Sequence, residues 1–389
     1  MIAVSWLVYR LTNSPFVLGV VGFIGQIPTF LITPFAGVFA DRHNRRKMLV
    51  VTQTLSLLQA AVLATLVFSG HIQVWQIISL SAVMGIINSF DIPIRQAFTV
   101  EMIDDREELS NAIALNSSMV NVARLVGPSV AGILIASVGE GVCFLINALS
   151  YIAVIASLLA MRMKQRPLRP KHSRVVAELK EGLRYVVDFA PIRTILALLA
   201  LVSLVGVPYQ VLMPVFARDI FHGGPHTLGF LVATAGIGAL AGALYLAARK
   251  SVVGLGKVIA LSAALFGAGI IAFAFSRALW FSMLVLLLSG FGMMVQMAAS
   301  NTVLQTIVEE DKRGRVMSFY TMSFMGMVPF GSLLAGVLAS RIGAPNTLLA
   351  GGVCCIIGAI LFSARLSSLR THIRPIYVKK GIIPTVPLP

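Results

Sequence analysis

Apolar runs broken by short charged turns recur along the whole chain, at about 16–40, 48–68, 74–99, 110–136, 141–161, 194–217, 226–248, 257–275, 279–303, 315–340 and 346–364. An α-helix needs ~20 apolar residues to cross a hydrocarbon core, so each run predicts one membrane span. Residues 1–12 are apolar apart from Arg10. At ~1.5 Å per residue they reach less than ~20 Å, too short to cross, and they read as the back half of a first helix. The expected fold is an all-α integral membrane protein of two six-helix bundles with an incomplete first helix, about 11.5 spans in all.

The one long polar segment, 162–193, lies at the midpoint and separates six spans from six. The expected domains are therefore an N-terminal bundle (1–161), a linker (162–193), a C-terminal bundle (194–364) and a tail (365–389). Within the linker, Val175, Leu179, Leu183 and Val186 recur at helical spacing, which predicts an amphipathic helix on the inner leaflet. The tail contains Pro375, Pro384, Pro387 and Pro389 and shows no periodicity, so it is expected to be disordered. An internal repeat supports the split. Gly85 to Asp104 and Gly292 to Asp311 both run from a span glycine to a loop aspartate at an offset of 207, and Gly132 and Gly139 stand 204 before Gly336 and Gly343. Gly37 matches Gly242 at 205, yet Leu246 stands where the repeat would place a second Asp41. Paired six-span repeats occur in transporters, with the substrate path between them.

Composition sharpens this. The chain is 57% hydrophobic and 12% charged, with mean hydropathy +0.89, which excludes an ordinary soluble domain. The net charge of +16 raises the question of nucleic acid, and the location of the cations answers it. Of the 31 lysines and arginines, only Arg10, Arg218, Arg277 and Arg341 fall in turns on one side, and Arg95 and Arg124 lie within spans. The rest fall on the other side, which marks it as cytoplasmic and puts the linker and tail there. No basic face interleaved with aromatics is left for nucleic acid. Cys143, Cys354 and Cys355 lie inside apolar runs as packing residues, and none of the six histidines is mid-span, so neither a metal cluster nor a histidine relay has candidate residues. A Gly-x-x-x-x-Gly-Lys-Ser/Thr loop is absent from the sequence, which excludes an in-chain nucleotide motor, and no cofactor is expected. Gly236, Gly238 and Gly242 have no strand before them and read as helix-packing glycines.

Charges inside spans cost ~2.5 to 3.5 kcal/mol on insertion scales and usually face a cavity or a partner. Asp91 and Arg95 lie four apart on the fourth span, with Asn88 three residues before, on one helical face that Pro93 can distort. Two readings stand: Asp91 carries a proton while Arg95 sets its affinity, or the two form a neutralised structural pair. Arg124 has no acid three or four residues away on its own helix, so its partner is another span, the substrate or backbone carbonyls. Asn121 lies three before it, and Gly127, Pro128 and Gly132 follow as a small-residue packing and gating step. Asn147, Tyr151, Tyr209, Gln210 and Gln296 are candidates to line a cavity, against an ordinary role in interhelical hydrogen bonds.

A charged turn sits between the second and third spans: Gly37, Asp41, Arg42, Arg45, Arg46 and Lys47. The first five resemble the loop of the major facilitator superfamily, Gly-x-x-x-Asp-Arg-x-Gly-Arg-Arg/Lys, with Asn44 where glycine is usual. Asparagine tolerates left-handed backbone, so the turn is expected to be kept. Asp91-Ile-Pro-Ile-Arg95-Gln96, Asn111 to Asn116, Ala123-Arg124 to Gly132, and Pro208 to Pro214 are similar to the exporter branch that includes enterobactin exporters and macrolide efflux pumps. This resemblance implies a secondary transporter of the cell membrane, requiring no cofactor and driven by the proton gradient. It would export a small amphipathic organic molecule of the drug or siderophore class, by antiport and alternating access, as a monomer. It also implies that Asp41 latches the inner helix ends, with topology alone as the rival reading for Arg45 and Arg46. Gly-Pro-x-x-x-Gly at Gly127–Gly132 is an antiporter mark in that family. Uptake or facilitated diffusion shares the same topology. A non-transporting membrane sensor or scaffold is the other alternative, drawing on the incomplete first helix, for which a misassigned start is the competing explanation.

Overall fold

The computed structural model describes residues 2–40, 43–102, 108–161, 175–249 and 251–384. Among these the chain is helical, with no strand: α1 (Ile2–Thr12), α2 (Pro15–Ala40), α3 (Arg45–Phe68), α4 (Val74–Glu101), α5 (Leu109–Ala160), α6 (Val175–Asp188), α7 (Ala190–Leu201), α8 (Tyr209–Val215), α9 (Pro225–Ala247), α10 (Leu255–Phe275), α11 (Leu279–Ile307), α12 (Glu310–Phe324), α13 (Met327–Ile342), α14 (Ala344–Ala364) and α15 (Leu366–Lys379). Ten stretches among them are long and apolar enough to cross a membrane. One of these, Val126–Ala160, contains the non-helical Gly139 (φ 84°, ψ 169°). Taking that residue as a boundary yields the eleven full runs expected from the sequence, with α1 as the short remainder. Gly343, 204 residues on, has almost the same backbone (φ 83°, ψ 156°) between α13 and α14. Only glycine adopts this conformation without strain, so the repeat appears in the backbone itself. Leu261, Trp280 and Leu361 are exposed on helix surfaces, as suits side chains whose solvent is lipid.

Packing groups the chain into two compact units. The first comprises Met1–His172, Val211–Ala233 and Ser332–Arg341, and the second Ser173–Gln210, Thr234–Gly331 and Ile342–Pro389. Two glycine crossings draw the later segments into the first unit. A Cβ on Gly132 would lie 2.7 Å from the Pro225 carbonyl oxygen and 2.9 Å from Gly229 Cα; one on Gly336 would lie 2.9 Å from the Pro15 oxygen and 2.8 Å from Gly19 Cα. The two crossings are near copies, each setting a proline-started helix against a small-residue face. Gly85 on α4 meets the Gly25 carbonyl of α2, and Gly290 on α11 meets the Ala235 carbonyl of α9, a glycine crossing of the same kind in each half of the chain.

The tail differs from its expectation of disorder. It carries α15, with Leu369 and Tyr377 buried and Lys380 Nζ donating to the Thr306 carbonyl at 2.7 Å. Leu369, Ile373 and Tyr377 recur every four residues, a helical stripe that outweighs the hydrogen bond removed by Pro375. In the linker, α6 is helical as its spacing predicts. Val186 is buried and Leu183 exposed, while the side chains of Val175 and Leu179 lie outside the described residues.

Candidate functional site

In the first unit the third and fourth spans build a polar centre around Asp91. Its carboxylate is 1% exposed. Thr52 Oγ1 donates to Oδ1 at 2.8 Å, Gln53 Nε2 donates to the same oxygen at 2.7 Å, and Arg95 donates to Oδ2. The helical spacing of Asp91 and Arg95 survives Pro93, and their ion pair forms along one face of α4. A buried carboxylate is tolerable only when paired and hydrogen-bonded, and three donors meet that need. Arg95 reaches outward, its side chain 62% exposed, so the centre joins a buried acid to an accessible cation. Thr52 and Gln53 went unrecognised in the sequence. The available signal was the polar cluster Thr52, Gln53, Thr54 and Ser56 near the start of a largely apolar span.

At the charged turn, Asp41 and Arg42 lie outside the described residues, as does the side-chain environment of Gly37. Arg45 pairs with Glu101 at 3.3 Å. Arg46 donates through Nε to the Leu158 carbonyl and through Nη2 to that of Leu159, both at 2.6 Å. These are among the last carbonyls of α5, which have no partner within their own helix, so Arg46 serves as a cap. Asn44 departs from its expected left-handed turn. It is extended (φ −67°, ψ 109°) and its side chain accepts from Lys47 N at 3.0 Å, because an asparagine before a helix satisfies an orphan N–H.

Elsewhere in the first unit, Arg10 Nε donates to Glu140 at 2.8 Å, the Tyr9 hydroxyl donates to Asp219, and Arg218 donates to Asn13 Oδ1 at 2.6 Å. These contacts tie α1 to the α5 kink and to the end of the seventh span. Gly132 and the Pro128 carbonyl face Gly229, whereas Gly127 has open space where a Cβ would be. The side chains of Asn121 and Arg124 lie outside the described residues. Asn88 and Tyr151 are half-buried and Asn147 is exposed.

In the second unit two spans are broken. The seventh widens into a π-turn at Val202–Gly206, where Val207 N reaches back to Val202 O, just before Pro208, which has no N–H to donate. The eleventh breaks between Phe324 and Met327. Ser203 Oγ donates to the Phe324 carbonyl at that break. The freed Leu204 and Val205 carbonyls point at Gly331 and Gly351, where an added Cβ would stand at 2.3 and 2.4 Å. Next to the π-turn Tyr209 is 1% exposed against the Phe266 ring, with no partner for its hydroxyl; Gln296 Nε2 on α11 is likewise buried without one. Gln210 is exposed. Irregular backbone at membrane depth is tolerated where protein or a cavity surrounds it, and in transporters discontinuous helices accompany substrate sites. Among the described residues no cluster of metal-ligating side chains occurs.

Helical spans, a repeated kink, a hydrogen-bonded acid inside a span and broken helices together define a polytopic transporter. Residues 1–373 match the family described as transmembrane secretion effector, and the chain belongs to that family within the major facilitator superfamily. It is 26% identical over 366 residues to the staphyloferrin A transporter of Staphylococcus aureus, spanning 93% of this chain and 90% of that one. Macrolide efflux protein A of Streptococcus pyogenes is 24% identical, spanning 90% and 87%. The multidrug efflux pump Tap of Mycobacterium tuberculosis is 28% identical, spanning 95% and 89%. Among solved structures, the nucleoside transporter NupG has TM-score 0.71 at 12% identity, covering 94% of this chain and 96% of its own. A bacterial homolog of the human lysosomal transporter Spinster has TM-score 0.70 at 15% identity, covering 95% and 93%. These two likenesses concern the fold.

Proposed function

We propose that the protein is a secondary active exporter of the cell membrane that moves a small amphipathic organic molecule, of the drug or siderophore class, outward in exchange for protons by alternating access. The observation that carries this reading is Asp91, a nearly inaccessible carboxylate inside a span, bound by Thr52, Gln53 and Arg95. In this mechanism the pair alternates between two states. Arg95 is bound to the carboxylate in one and drawn away in the other, which ties the pair to the movement of the helices. Arg124 assists substrate or proton coupling, and Asp41 with its neighbouring arginines acts as the inner latch. The unpartnered Tyr209 hydroxyl and Gln296 amide supply two hydrogen bonds to substrate or to water ahead of it, since a buried donor without a partner costs about 1–3 kcal/mol. The names of the relatives, a staphyloferrin A transporter, a macrolide efflux protein and a multidrug efflux pump, support the substrate class. No cofactor is involved, the proton gradient supplies the energy, and the working unit is a monomer.

The test is substrate-driven proton movement in proteoliposomes, with a macrolide, staphyloferrin A and a fluorescent lipophilic cation as probes. An imposed proton gradient should drive at least one probe, and Asp91→Asn should abolish the coupling while leaving insertion intact. Probe flux that ignores the gradient would reject antiport.

A further inference from the structure

We propose that the cleft between α6 and α12 binds the phosphate of an anionic phospholipid headgroup from the inner leaflet. The cleft has a volume of about 180 Å³ and is lined by Gly182, Arg184, Tyr185, Asp188, Lys312 and Arg315. Three of the six lining residues are cations and one is an acid. The close approach of the two helices comes from Gly182, where an added Cβ would stand 3.0 Å from the Phe319 ring and 3.2 Å from Arg315 Cβ. Lys312 Nζ sits 4.8 Å from the centre of the Tyr185 ring, a cation–π contact that holds the ammonium at the cleft wall. Among the described residues two of these cations also carry an acid, Arg184 with Asp188 at 3.7 Å and Lys312 with Glu309 at 2.6 Å, so a phosphate would share them with those carboxylates. The bond from Lys312 holds the Glu309 carboxyl below its ordinary range.

Position selects a lipid over a free phosphate ester. Lys312 is the first residue of one span and Asp188 lies two residues before the start of another, so the cleft stands at headgroup depth. It is on the side that the basic loops mark as cytoplasmic, where anionic lipids attract basic pockets. Beside the charged pair Arg184 and Asp188, α6 exposes Leu183 and Val187, 51% and 47% accessible. These two share a helical face four residues apart, so a charged stripe and an apolar stripe lie side by side, as on helices that rest at a bilayer interface. The apolar stripe would receive the upper acyl chains while Arg184, Lys312 and Arg315 hold the phosphate, bracing the linker helix against α12.

Native mass spectrometry of the full chain, released from nanodiscs of mixed phosphatidylglycerol and phosphatidylcholine, tests this. Wild type should retain about one phosphatidylglycerol in preference to phosphatidylcholine, and Arg184→Gln with Arg315→Gln should weaken retention about tenfold. The charge-keeping Arg184→Lys/Arg315→Lys variant should retain it, which separates loss of the site from loss of fold. A photoreactive phosphatidylglycerol should label the peptide containing 182–188 in wild type. Equal retention of both lipids, labelling confined to other segments, or displacement by soluble glycerol phosphate at equimolar concentration would overturn the lipid site.

Discussion

The Tyr9 hydroxyl donates to the Asp219 carboxylate across 210 residues of sequence, and Arg218 lies beside it, its guanidinium 5.9 Å from the Tyr9 ring centre. One aromatic side chain on α1 thus engages both charges at the end of the seventh span. Hydrogen bonds to charged groups contribute ~1.5–3 kcal/mol, but Asp219 is exposed, and solvent screening brings the expected coupling to about 1 kcal/mol. A double-mutant cycle of Tyr9→Phe and Asp219→Asn, read from unfolding in detergent, should give that coupling. Strict additivity would show that the two groups do not interact in the membrane-extracted protein.

Asp91 allows a finer distinction than loss of function. Alanine at this position would leave the Gln53 amide without its acceptor, at ~1–3 kcal/mol, while Thr52 keeps the Leu49 carbonyl at 3.0 Å. Asparagine keeps an oxygen for them and loses only the charge. Asp91→Ala should therefore be clearly less stable than Asp91→Asn, while both lose proton coupling. Similar thermal stability of the two variants would mean that the hydrogen bonds to Oδ1 are not formed.

What the sequence makes legible here is mostly what periodicity and length can carry. The apolar runs, the charged turn and the twin glycines at 139 and 343 could all be read in order along the chain. The Asp91–Arg95 pair could be found as well, because it lies on one helix at i, i+4. Thr52 and Gln53 could not, since which faces of α3 and α4 meet depends on helix packing, to which a single sequence holds no key. At Asn44 two local rules compete, left-handed tolerance and helix capping, and the orphan N–H of Lys47 decides for the cap. In the tail Pro375 signals a break, while the four-residue stripe of Leu369, Ile373 and Tyr377 signals a helix, and the stripe prevails. The break in the seventh span has a visible cause in Pro208, but the glycines that face the Leu204 and Val205 carbonyls lie on α13 and α14, far away in sequence.

Arg46 separates capping from charge. If its only part were to mark the cytoplasmic side, lysine would serve equally well, because the topology rule counts both. Capping needs the planar fork, which reaches the Leu158 and Leu159 carbonyls together; a lysine ammonium is a point charge on a flexible stem. Arg46→Lys should keep orientation in a protease-accessibility assay and lower stability by about 1 kcal/mol, that of a typical net hydrogen bond. Wild-type stability in this variant would return Arg46 to the role of a topology marker.

The glycines of the Gly-Pro-x-x-x-Gly step are unequal, and that inequality tests whether close packing or backbone freedom is what they provide. Gly127 has nothing within 4 Å of a Cβ, while a Cβ on Gly132 would enter the Pro225 carbonyl at 2.7 Å. In a helix interior, alanine is favoured over glycine by roughly 0.5–1 kcal/mol. Gly127→Ala should therefore raise thermal stability or leave it unchanged. Gly132→Ala has to push α5 away from α9 against backbone atoms that cannot rotate aside, and small-residue contacts are what hold helices together where lipid supplies no hydrophobic force. It should be destabilising, and Gly336→Ala, which meets the Pro15 carbonyl and Gly19 in the matching crossing, should behave the same way. Transport rates then decide what the crossings are for. If Gly132→Ala and Gly336→Ala slow transport in proportion to their loss of stability, the crossings only pack; if either slows it while a compensating stabiliser such as Gly127→Ala fails to restore the rate, the close approach is itself a step of the cycle.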